Sequence, residues 1–478
     1  MSSAIRSLSP AAPWNHFADL NAIPRPSKGE ERVAQFVADF GKKLGLEVLR
    51  DATGNVIIKK PASKGREKSP TVILQAHLDM VHQKNADTRF DFATQGIEMY
   101  VDGDWVKARG TTLGADNGLG AASIMAVLAS KDILHPAIEA LFTLDEEAGM
   151  GGAKGLGKGL LKGKILLNLD TEEDHVFTIG CAGGLDTVIE WNYREDDTPA
   201  GYAGRTITVS GLKGGHSGME IHLGRGNANK IMNRVLMAAK GLRISTLEGG
   251  SVRNAIPREA KATVAVKSAA SFERSFKAAV KDILAEYGGI EPGLQITQAE
   301  APAPARVMRR SDQTKLLHSI RAVHNGVFRM SPDVPGLVET SSNLARIEMQ
   351  GGTFSCGTLQ RSAIESGKAD VAAAVRAPFD LIGAKIETAN GYPGWKPNPN
   401  SALLRKMEGI YARMFGQNPH VEACHAGLEC GIIREAYPGL DMISFGPNIQ
   451  FAHSPDEQAS IPSFQKFWGF LLEVLGRL

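Results

Sequence analysis

Five short segments of the chain place a side chain that can bind a metal ion directly after an apolar run or at the start of a helix. They are His77-Leu-Asp79, Gly114-Ala-Asp116-Asn, Asp145-Glu146-Glu147, Asn168-Leu-Asp170 and Ala452-His453-Ser. Each segment alone is ordinary, because a lone His or Asp at a strand end is usually a capping or surface residue. Together they offer imidazole nitrogens and carboxylate oxygens, the ligands that suit zinc or manganese. The set predicts a metal site built from distant parts of the chain.

Two of these segments predict different roles for neighbouring residues. His77 and Asp79 lie two apart on a strand and so project from the same face, where one can bind a metal ion while the other acts beside it. Glu146 and Glu147 are adjacent, so in an extended chain they point to opposite sides. One of them can then bind an ion while the other takes a proton from a metal-bound water. Taken alone, such an acidic pair is more typical of a solvated turn.

The elements around these segments predict an α/β domain with a mixed, mostly parallel sheet. Apolar residues from Val33 to Leu44 follow a 3.6-residue period, which indicates an amphipathic helix. The apolar run 71–76 is typical of a parallel strand buried on both faces. Further strands are expected at 137–144, 164–169 and 442–445, and a helix at 117–130. Ligands of such sheets lie beyond the carboxyl ends of the strands, where the five segments fall.

A change in the pattern of apolar and polar residues near residue 185 predicts a second domain inserted into the first. Alternating strands then flank long helices at 226–242 and 271–287, which is typical of an α+β module. Arg253-Asn-Ala-Ile with Lys261-Ala-Thr-Val-Ala recurs as Arg361-Ser-Ala-Ile with Lys368-Ala-Asp-Val-Ala, so we expect two similar lobes. The predicted domains are a catalytic part at 1–184, an inserted lid and dimerisation domain at 185–391, and a second catalytic part at 392–478.

Composition excludes several classes of function. The chain has 478 residues with 54 basic and 52 acidic side chains, a balance that gives no electrostatic footprint for nucleic acid or an anionic membrane. Four cysteines without a C-x-x-C pair argue against a disulfide scaffold and a thiolate zinc site. No run is long enough for a membrane helix, and the N-terminus lacks a secretory signal pattern, so we expect a cytoplasmic protein.

Two glycine-rich stretches do not match the nucleotide or serine-hydrolase motifs they superficially suggest. Residues 110–120 and 211–218 lack the Gly-Lys-Ser/Thr of a phosphate loop, which argues against nucleotide binding. Gly215-His-Ser-Gly fails the Gly-x-Ser-x-Gly nucleophile elbow by one position, so a serine hydrolase is disfavoured.

Taken in order along the chain, these motifs resemble the M20 clan of co-catalytic zinc peptidases, and closely resemble the bacterial aminoacyl-histidine dipeptidases. The resemblance runs nearly end to end and departs from the pattern at none of the metal positions. It rests on Gln75-Ala-His77-Leu-Asp79-Met-Val-His, Thr112-Leu-Gly-Ala-Asp116-Asn-Gly, Asp145-Glu146-Glu147-Ala-Gly-Met, Leu167-Asn-Leu-Asp170, Gly214-Gly-His216-Ser-Gly, His425-Ala-Gly-Leu-Glu429-Cys-Gly and Ala452-His453-Ser-Pro.

The resemblance implies a role for each metal-capable residue. His77 and Asp170 would bind one zinc ion, Glu147 and His453 the other, and Asp116 would bridge them. Glu146 would be the general base and acid, and Asp79 would orient His77. Three carboxylates and two neutral imidazoles offset three of the four positive charges of two Zn²⁺ ions, and a bridging hydroxide would neutralise the remainder. Mn²⁺ or Co²⁺ in place of zinc stays open.

Five further residues are candidate substrate contacts. The resemblance makes His216 a lid-domain donor to the developing oxyanion and Asn254 a lid residue that contacts substrate. Arg361 is a candidate for the free carboxylate of a dipeptide, which an Arg fork matches better than a Lys. His425 and Glu429 are expected to line the pocket, with Glu429 able to receive the free amino group.

The predicted reaction is hydrolysis of dipeptides, including Xaa-His and β-alanyl-His, by a metal-activated water. A related M20 deacylase or carboxypeptidase acting on N-acyl amino acids shares the metal chemistry and stays an alternative. A non-catalytic binding protein on the same fold is the rival from another class. By analogy with the family, we expect a homodimer formed through the inserted domain.

Overall fold

The computed structural model describes residues 3–478, which form two compact units. The first unit holds the described residues up to Gly180, together with Pro397–Ala423 and Leu428–Leu478. The second unit holds Cys181–Lys396 and the short segment Cys424–Gly427. These bounds lie within a few residues of the predicted 184/185 and 391/392. The return of 424–427 to the second unit, which carries His425 with it, is not predicted by the sequence pattern.

The first unit is built on an eight-stranded sheet whose four central strands run parallel. The outer strand pairs Glu47–Arg50 with Val56–Lys60, and Val56–Lys60 with Ile138–Thr143, are antiparallel. This is the mixed, mostly parallel sheet that the sequence predicts. In order across the sheet the strands are Glu47–Arg50, Val56–Lys60, Ile138–Thr143, Val72–His77, Ile165–Asn168, Asp441–Ser444, Val176–Cys181 and His420–Cys424.

Helices cover this sheet, and their buried apolar faces form its core. All six residues of Val72–His77 are buried, because the central strands of a parallel sheet are covered on both faces. Helix Glu31–Lys43 buries Val33, Ala34, Val37 and Ala38 on one stripe, as its 3.6-residue period predicts. The helices of this unit are Ser3–Arg6, Ala11–Asn21, Glu31–Lys43, Ala115–Ala129, Gly151–Gly155, Ala402–Phe415, Glu429–Ala436 and Ile461–Arg477.

A small four-stranded sheet completes the first unit. Its strands, in order, are Ile449–Gln450, Gln458–Ser460, Trp105–Ala108 and Met99–Asp102. The loop between its first two strands contains His453. Among the described residues, no helix is both long and apolar enough to cross a membrane.

The second unit is an antiparallel nine-stranded sheet with helices. Its main strand order is Gln295–Ala301, Ala203–Ser210, Ala260–Val266, Leu242–Gly249, Val338–Gln350, Thr353–Ser362, Gly183–Asn192 and Lys385–Tyr392, with Gly326–Met330 paired to Val338–Gln350. The short strands Glu195–Asp197 and Arg306–Met308 form a separate ribbon. The helices are Ile221–Leu223 (a 3-10 turn), Ala228–Ala238, Ala269–Tyr287, Arg310–Ala322 and Glu365–Asp380.

The predicted internal repeat is wrong at the level of secondary structure. Residues 261–265 lie in strand Ala260–Val266, whereas residues 368–372 lie in helix Glu365–Asp380. The second copy is followed by apolar residues at helical spacing, and Val371, Val375 and Phe379 are buried against the sheet. Because this spacing buries one face of a helix, it overrides the local likeness in sequence. The two stretches therefore do not mark two equivalent lobes.

Candidate metal and catalytic site

The carboxyl ends of the parallel strands bring the first group of site residues together. His77 ends its strand opposite Thr143 of the neighbouring strand, and Gln75 pairs with Asn168 on the other side. Asp170 follows two residues after Asn168 and therefore emerges at the same edge of the sheet. His77 Nε2 lies 3.1 Å from Asp116 Oδ1 and 3.4 Å from Asp170 Oδ1. These three side chains form a group that can hold a metal ion.

A second group shares Asp116 with the first. His453 Nε2 lies 3.2 Å from Asp116 Oδ2 and 3.0 Å from Glu147 Oε2. Asp116 thus directs one carboxylate oxygen toward each histidine, and His77 and His453 belong to different groups. A carboxylate placed in this way is suited to contacting two cations at once.

Glu146 and Glu147 both reach the site, so the prediction that they point to opposite sides is wrong. His77, Glu146 and Glu147 place ligand atoms within 4.8 Å of one another. The two glutamates lie in a turn after strand Ile138–Thr143 rather than in extended chain, and Asp145 before them has a left-handed φ of 54°. The alternation of sides holds only for extended backbone, which explains the difference.

Asp79 connects His77 to this turn. Its Oδ1 accepts a hydrogen bond from the Glu146 amide at 3.0 Å, and its Oδ2 accepts one from the Glu147 amide at 3.2 Å. The hydroxyl of Ser27 donates to Oδ2 at 2.8 Å. Oδ1 also lies 3.4 Å from His77 Nδ1, with both side chains almost fully buried. One buried carboxylate therefore orients both the imidazole and the glutamate pair.

The residues present fit a pair of divalent cations. Glu147 Oε1 is a buried oxygen without a hydrogen-bond partner, and Asp170 Oδ1 is buried and lies 3.4 Å from His77 Nε2 without forming a hydrogen bond. Such atoms are rare, because an unpaired buried carboxylate oxygen is costly unless a cation satisfies it. The donors are two imidazoles and three carboxylates with no thiolate, a set suited to zinc, manganese or cobalt.

The charges at the site depend strongly on one another. Burial lowers the pKa of His77, but Asp170, Asp116 and Asp79 offset it and hold that pKa well above its ordinary value. Hydrogen bonds to Asp116 and Glu147 raise the pKa of His453 to about 11. The two histidines in turn hold the pKa of Asp116 far below its ordinary value despite burial. The imidazoles therefore act here as the positive partners of an acidic cluster.

Glu146 has the environment of a general base. Burial raises the pKa of Glu146 well above the ordinary value of a glutamate, and the carboxylates of Asp170, Glu429 and Glu147 add to that rise, against the opposing effect of His77. A carboxylate whose pKa moves toward neutrality can take a proton and return it in the same reaction cycle.

Glu429 lies in the first unit, where it is buried at the start of helix Glu429–Ala436. It is 1 % exposed, and its Oε2 accepts hydrogen bonds from Gln75 Nε2 and Thr143 Oγ1, each at 2.7 Å. Its Oε1 is buried and has no hydrogen-bond partner. Burial is the main cause that raises the pKa of Glu429, to about 8. One oxygen of Glu429 is thus engaged by Gln75 and Thr143 while the other lacks a partner, and its expected place in the lining of the pocket stays a prediction.

In the second unit, His216 and Asn254 lie on loops that are joined through the backbone. His216 and Ala255 form an isolated bridge, and the Ser217 amide donates to the Asn254 carbonyl at 2.8 Å. Asn343 Nδ2 donates to the carbonyls of Arg253 and Ala255, on either side of Asn254. Asn254 itself is exposed. Its position is therefore fixed by the backbone while its side chain faces solvent.

His216 is held as a donor through its Nε2. Its Nδ1 accepts the amide hydrogens of Gly218 at 3.2 Å and Met219 at 3.0 Å. Burial, followed by the charge of Arg361, lowers the pKa of His216. A neutral imidazole that accepts at Nδ1 carries its proton on Nε2, so we infer this tautomer from the hydrogen bonds.

Arg361 and His425 lie in the same part of the second unit as His216. Arg361 is 4 % exposed, and its Nη1 donates to Tyr392 Oη at 3.0 Å while its Nη2 lies 3.5 Å from His216 Nε2. Its Nε is buried without a partner. His425 Nε2 lies 2.8 Å from Ser341 Oγ. Burial, followed by Arg361, lowers the pKa of His425 to about 3, so this ring is neutral.

The sequence reasoning missed Tyr392, Arg25 and Glu457. Arg25 is 2 % exposed and donates to the carbonyls of Leu78, Asp79 and Gly114. Burial lowers the pKa of Arg25 to about 10. Glu457 lies four residues after His453 and is 2 % exposed. Its place two residues after the Ala452-His453-Ser-Pro motif is the signal in the sequence that could have pointed to Glu457.

Known proteins match this chain over most of its length. A model of the peptidase family M20/M25/M40 matches residues 73–477. The chain is 43% identical to the cytosol non-specific dipeptidase of Escherichia coli (strain K12), over 99% of both chains. It matches the crystal structure of aminoacylhistidine dipeptidase from Vibrio alginolyticus with a TM-score of 0.94 and 46% identity, over 100% of this chain and 98% of the other. Aminopeptidase PepT from Bacillus cereus, at 16% identity and a TM-score of 0.57 over 98% of each chain, shares the fold.

Proposed function

The chain belongs to peptidase family M20/M25/M40, and from this membership and the geometry of the site we propose that it is a metal-dependent dipeptidase. Its substrates are dipeptides with free ends, including Xaa-His and β-alanyl-His, and the two relatives at 43% and 46% identity carry dipeptidase names. One observation carries the proposal most directly. Asp116 is shared by two ligand groups, and Glu146 places a carboxylate oxygen beside His77 of one group and Glu147 of the other.

In this proposal His77 and Asp170 would hold one Zn²⁺ ion and Glu147 and His453 a second, with Asp116 available to both groups. When bound, the ions would supply Lewis-acid chemistry, which polarises a scissile carbonyl and lowers the pKa of a bound water. Glu146 accepts the proton of the attacking water and returns it to the leaving nitrogen, because its raised pKa allows both transfers. Asp79 contacts both His77 and the amides of residues 146–147, so it holds them at a fixed distance from each other during these transfers.

His216 is the proposed donor to the oxyanion. Its Nε2 carries the proton, as the two amide donors at Nδ1 require. A preorganised neutral donor stabilises negative charge as it develops without first losing a water shell. Asn254, on the adjoining loop, is proposed as a second contact to the substrate backbone.

Arg361 and Tyr392 form the proposed carboxylate subsite. Arg361 is buried, and among the described residues no carboxylate forms an ion pair with it. Its Nε also has no hydrogen-bond partner. A buried guanidinium without a counter-ion favours an anion, and a planar fork matches a carboxylate. Tyr392 Oη accepts from Arg361 Nη1, which leaves the phenolic proton free to donate to the same anion.

The free amino group of the dipeptide is assigned to Glu429. Its Oε1 is a buried oxygen that lacks a hydrogen-bond partner, and an ammonium group beside it would supply donors and favour the ionised carboxylate against the burial that raises its pKa to about 8. His425 is proposed to line the pocket as a neutral ring that adds no charge beside Arg361. We also propose that the protein acts in the cytoplasm and as a homodimer through the second unit, by analogy with the family.

An assay of the zinc-loaded protein on three substrate classes tests this proposal. The substrates are β-alanyl-His with other Xaa-His dipeptides, dipeptides without His, and N-acyl amino acids. We expect turnover of the dipeptides and little of the N-acyl compounds, which lack the amino group assigned to Glu429. Preference for N-acyl amino acids would replace the proposal with a deacylase, and absence of turnover on all three would favour a binding protein.

A further inference from the structure

The Glu457 carboxylate accepts hydrogen bonds from the backbone that leads into Asp116. Both of its carboxylate oxygens are used, and the side chain is buried. They accept the amide hydrogens of four consecutive residues, namely Leu113 (2.7 Å) and Gly114 (2.9 Å) at Oε2, and Ala115 (2.7 Å) and Asp116 (3.3 Å) at Oε1. Burial raises the pKa of Glu457 to about 7, while four amide donors favour its ionised form, and hydrogen bonds to an ionised acceptor are about twice as strong as those between neutral groups.

The amide groups of this stretch are not held by the helix that follows it. Gly114 has a left-handed φ of 70°, and Asp116 departs from helical geometry with φ −80° and ψ 113° although helix Ala115–Ala129 has already begun. The first amides of a helix have no partner within the helix, so they require an outside acceptor. Glu457 is that acceptor, and it comes from a loop more than 300 residues away in sequence.

Arg25 fixes the same stretch from the carbonyl side. Its Nη2 donates to the Gly114 carbonyl at 2.5 Å, and its Nη1 donates to the carbonyls of Leu78 and Asp79. A Cβ atom at residue 114 would come within 2.5 Å of that Nη2, which explains why glycine stands there. Arg25 thereby joins the loop after His77 to the loop before Asp116.

The loop of Glu457 is also the loop of His453. Only three residues separate them, and the Glu457 amide donates to the Ser454 carbonyl at 3.1 Å, which closes a turn between them. His453 has a left-handed φ of 66°, a conformation that a non-glycine residue holds only when its surroundings fix it. Anchoring Glu457 therefore limits how far the His453 backbone can move relative to Asp116.

We propose that Glu457 is a positioning residue that sets the Asp116 carboxylate and the His453 imidazole at the separation needed to share a cation. This inference rests on the proposed function, because it takes Asp116 and His453 as metal ligands. It predicts that Glu457 affects metal affinity even though it is not itself a ligand. Residues that support metal ligands typically change metal affinity by about 10- to 100-fold when they are replaced.

A matched control separates this role from plain structural support. Glu139 is also a buried carboxylate of the first unit, and it accepts the amides of Lys162 at 2.8 Å and Gly163 at 2.9 Å. It contributes to none of the metal-capable groups. Glu457→Gln and Glu139→Gln each replace one acceptor oxygen by an amide that cannot accept a backbone hydrogen bond. Both should lower stability, but only the first should disturb the ligands.

The experiment is a Co²⁺ titration of the metal-free wild type and both variants, followed by visible absorption and checked by competition with a chelator. We expect two ions in the wild type and in Glu139→Gln, and about 10- to 100-fold weaker binding of at least one ion in Glu457→Gln. Glu457→Asp, which keeps the charge, should recover part of the affinity and serves in its place if Glu457→Gln does not fold.

Two results would overturn the inference while leaving the proposed function intact. One is Co²⁺ affinity in Glu457→Gln, or in Glu457→Asp where that variant replaces it, equal to that of the wild type. The other is an equal loss in Glu139→Gln, which would make the effect one of general stability. If the wild type itself does not bind two ions, the proposed metal site fails, and the inference fails with it.

Discussion

Asp79 Oδ1 lies 3.4 Å from His77 Nδ1, and the backbone carbonyl of Asp79 lies 3.1 Å from the same nitrogen. Both acceptors hold Nδ1, so the ring presents Nε2 to Asp116 and Asp170. Because the same carboxylate accepts the amides of Glu146 and Glu147, the base and its neighbouring ligand are fixed to the histidine through one side chain. A small displacement of the Asp79 carboxylate should therefore move His77, Glu146 and Glu147 together.

Asp79→Asn should weaken zinc binding by about 10- to 100-fold. The amide nitrogen of Asn cannot accept from a backbone amide, so either Glu146 or Glu147 loses its partner. Isothermal titration of the metal-free protein with Zn²⁺ measures the change. Asp312→Asn is the matched control, since Asp312 is a buried carboxylate of the second unit that accepts the Arg194 amide. Similar losses in both variants would count against the orienting role of Asp79.

Glu146→Gln should reduce kcat by at least about 100-fold and leave about two zinc ions per chain. Gln keeps the shape of the side chain but cannot take a proton. Elemental analysis of the purified variant beside a dipeptide assay checks both halves of the expectation. A variant that keeps its activity would remove Glu146 from the role of base, and one that loses zinc would make it a ligand.

Arg361→Lys should raise KM for a dipeptide by about 10- to 100-fold, since a bond to a charged group contributes about 1.5–3 kcal/mol. A dipeptide amide, which lacks the carboxylate, should be a poor substrate for the wild type and be little affected by the substitution. Steady-state kinetics on the two compounds give the comparison. Tyr392→Phe should show the same pattern with a smaller effect. Equal losses on the acid and the amide would contradict the carboxylate subsite.

His425 should make stability fall with acid. Its pKa is about 3 in the folded protein against 6.5 for an ordinary histidine, so the unfolded chain binds a proton first as pH falls. The contribution of the neutral His425 ring to the free energy of unfolding is complete above pH 6.5. As pH falls from 6.5 toward 3, that contribution is lost at about 1.4 kcal/mol per pH unit. Urea unfolding of the wild type and His425→Asn between about pH 6.5 and 4 tests this. The variant should have the shallower slope, and parallel slopes would contradict the buried neutral ring. His318→Asn controls for removal of an exposed imidazole.

Much of the first unit could be predicted from the sequence. The strand Val72–His77 and the helix Glu31–Lys43 follow from the apolar pattern alone. A strand buried on both faces gives a continuous apolar run, whereas a helix buried on one face gives apolar residues at a 3.6-residue period. Placing His77 and Asp170 at one edge then follows from the rule that ligands lie at the carboxyl ends of parallel strands. The resemblance to a known family supplied the roles.

The remaining features depend on contacts that sequence spacing does not encode. Glu146 and Glu147 turn inward because Asp79 holds their amides, and Glu457 reaches backbone more than 300 residues away. Arg361 meets Tyr392 only through the pairing of distant strands in the second unit. The apparent repeat at residues 261 and 368 gave a wrong prediction. The two stretches have similar residues, but the burial pattern of the residues that follow determines whether each forms a strand or a helix.

The most direct test of the account is a crystal structure of the zinc-loaded protein with anomalous diffraction measured on both sides of the zinc absorption edge. We expect two anomalous peaks, one between His77 and Asp170 and one between Glu147 and His453, with Asp116 contacting both and Glu146 contacting neither. A single peak, no peak, or zinc bound through Glu146 would contradict the central claim.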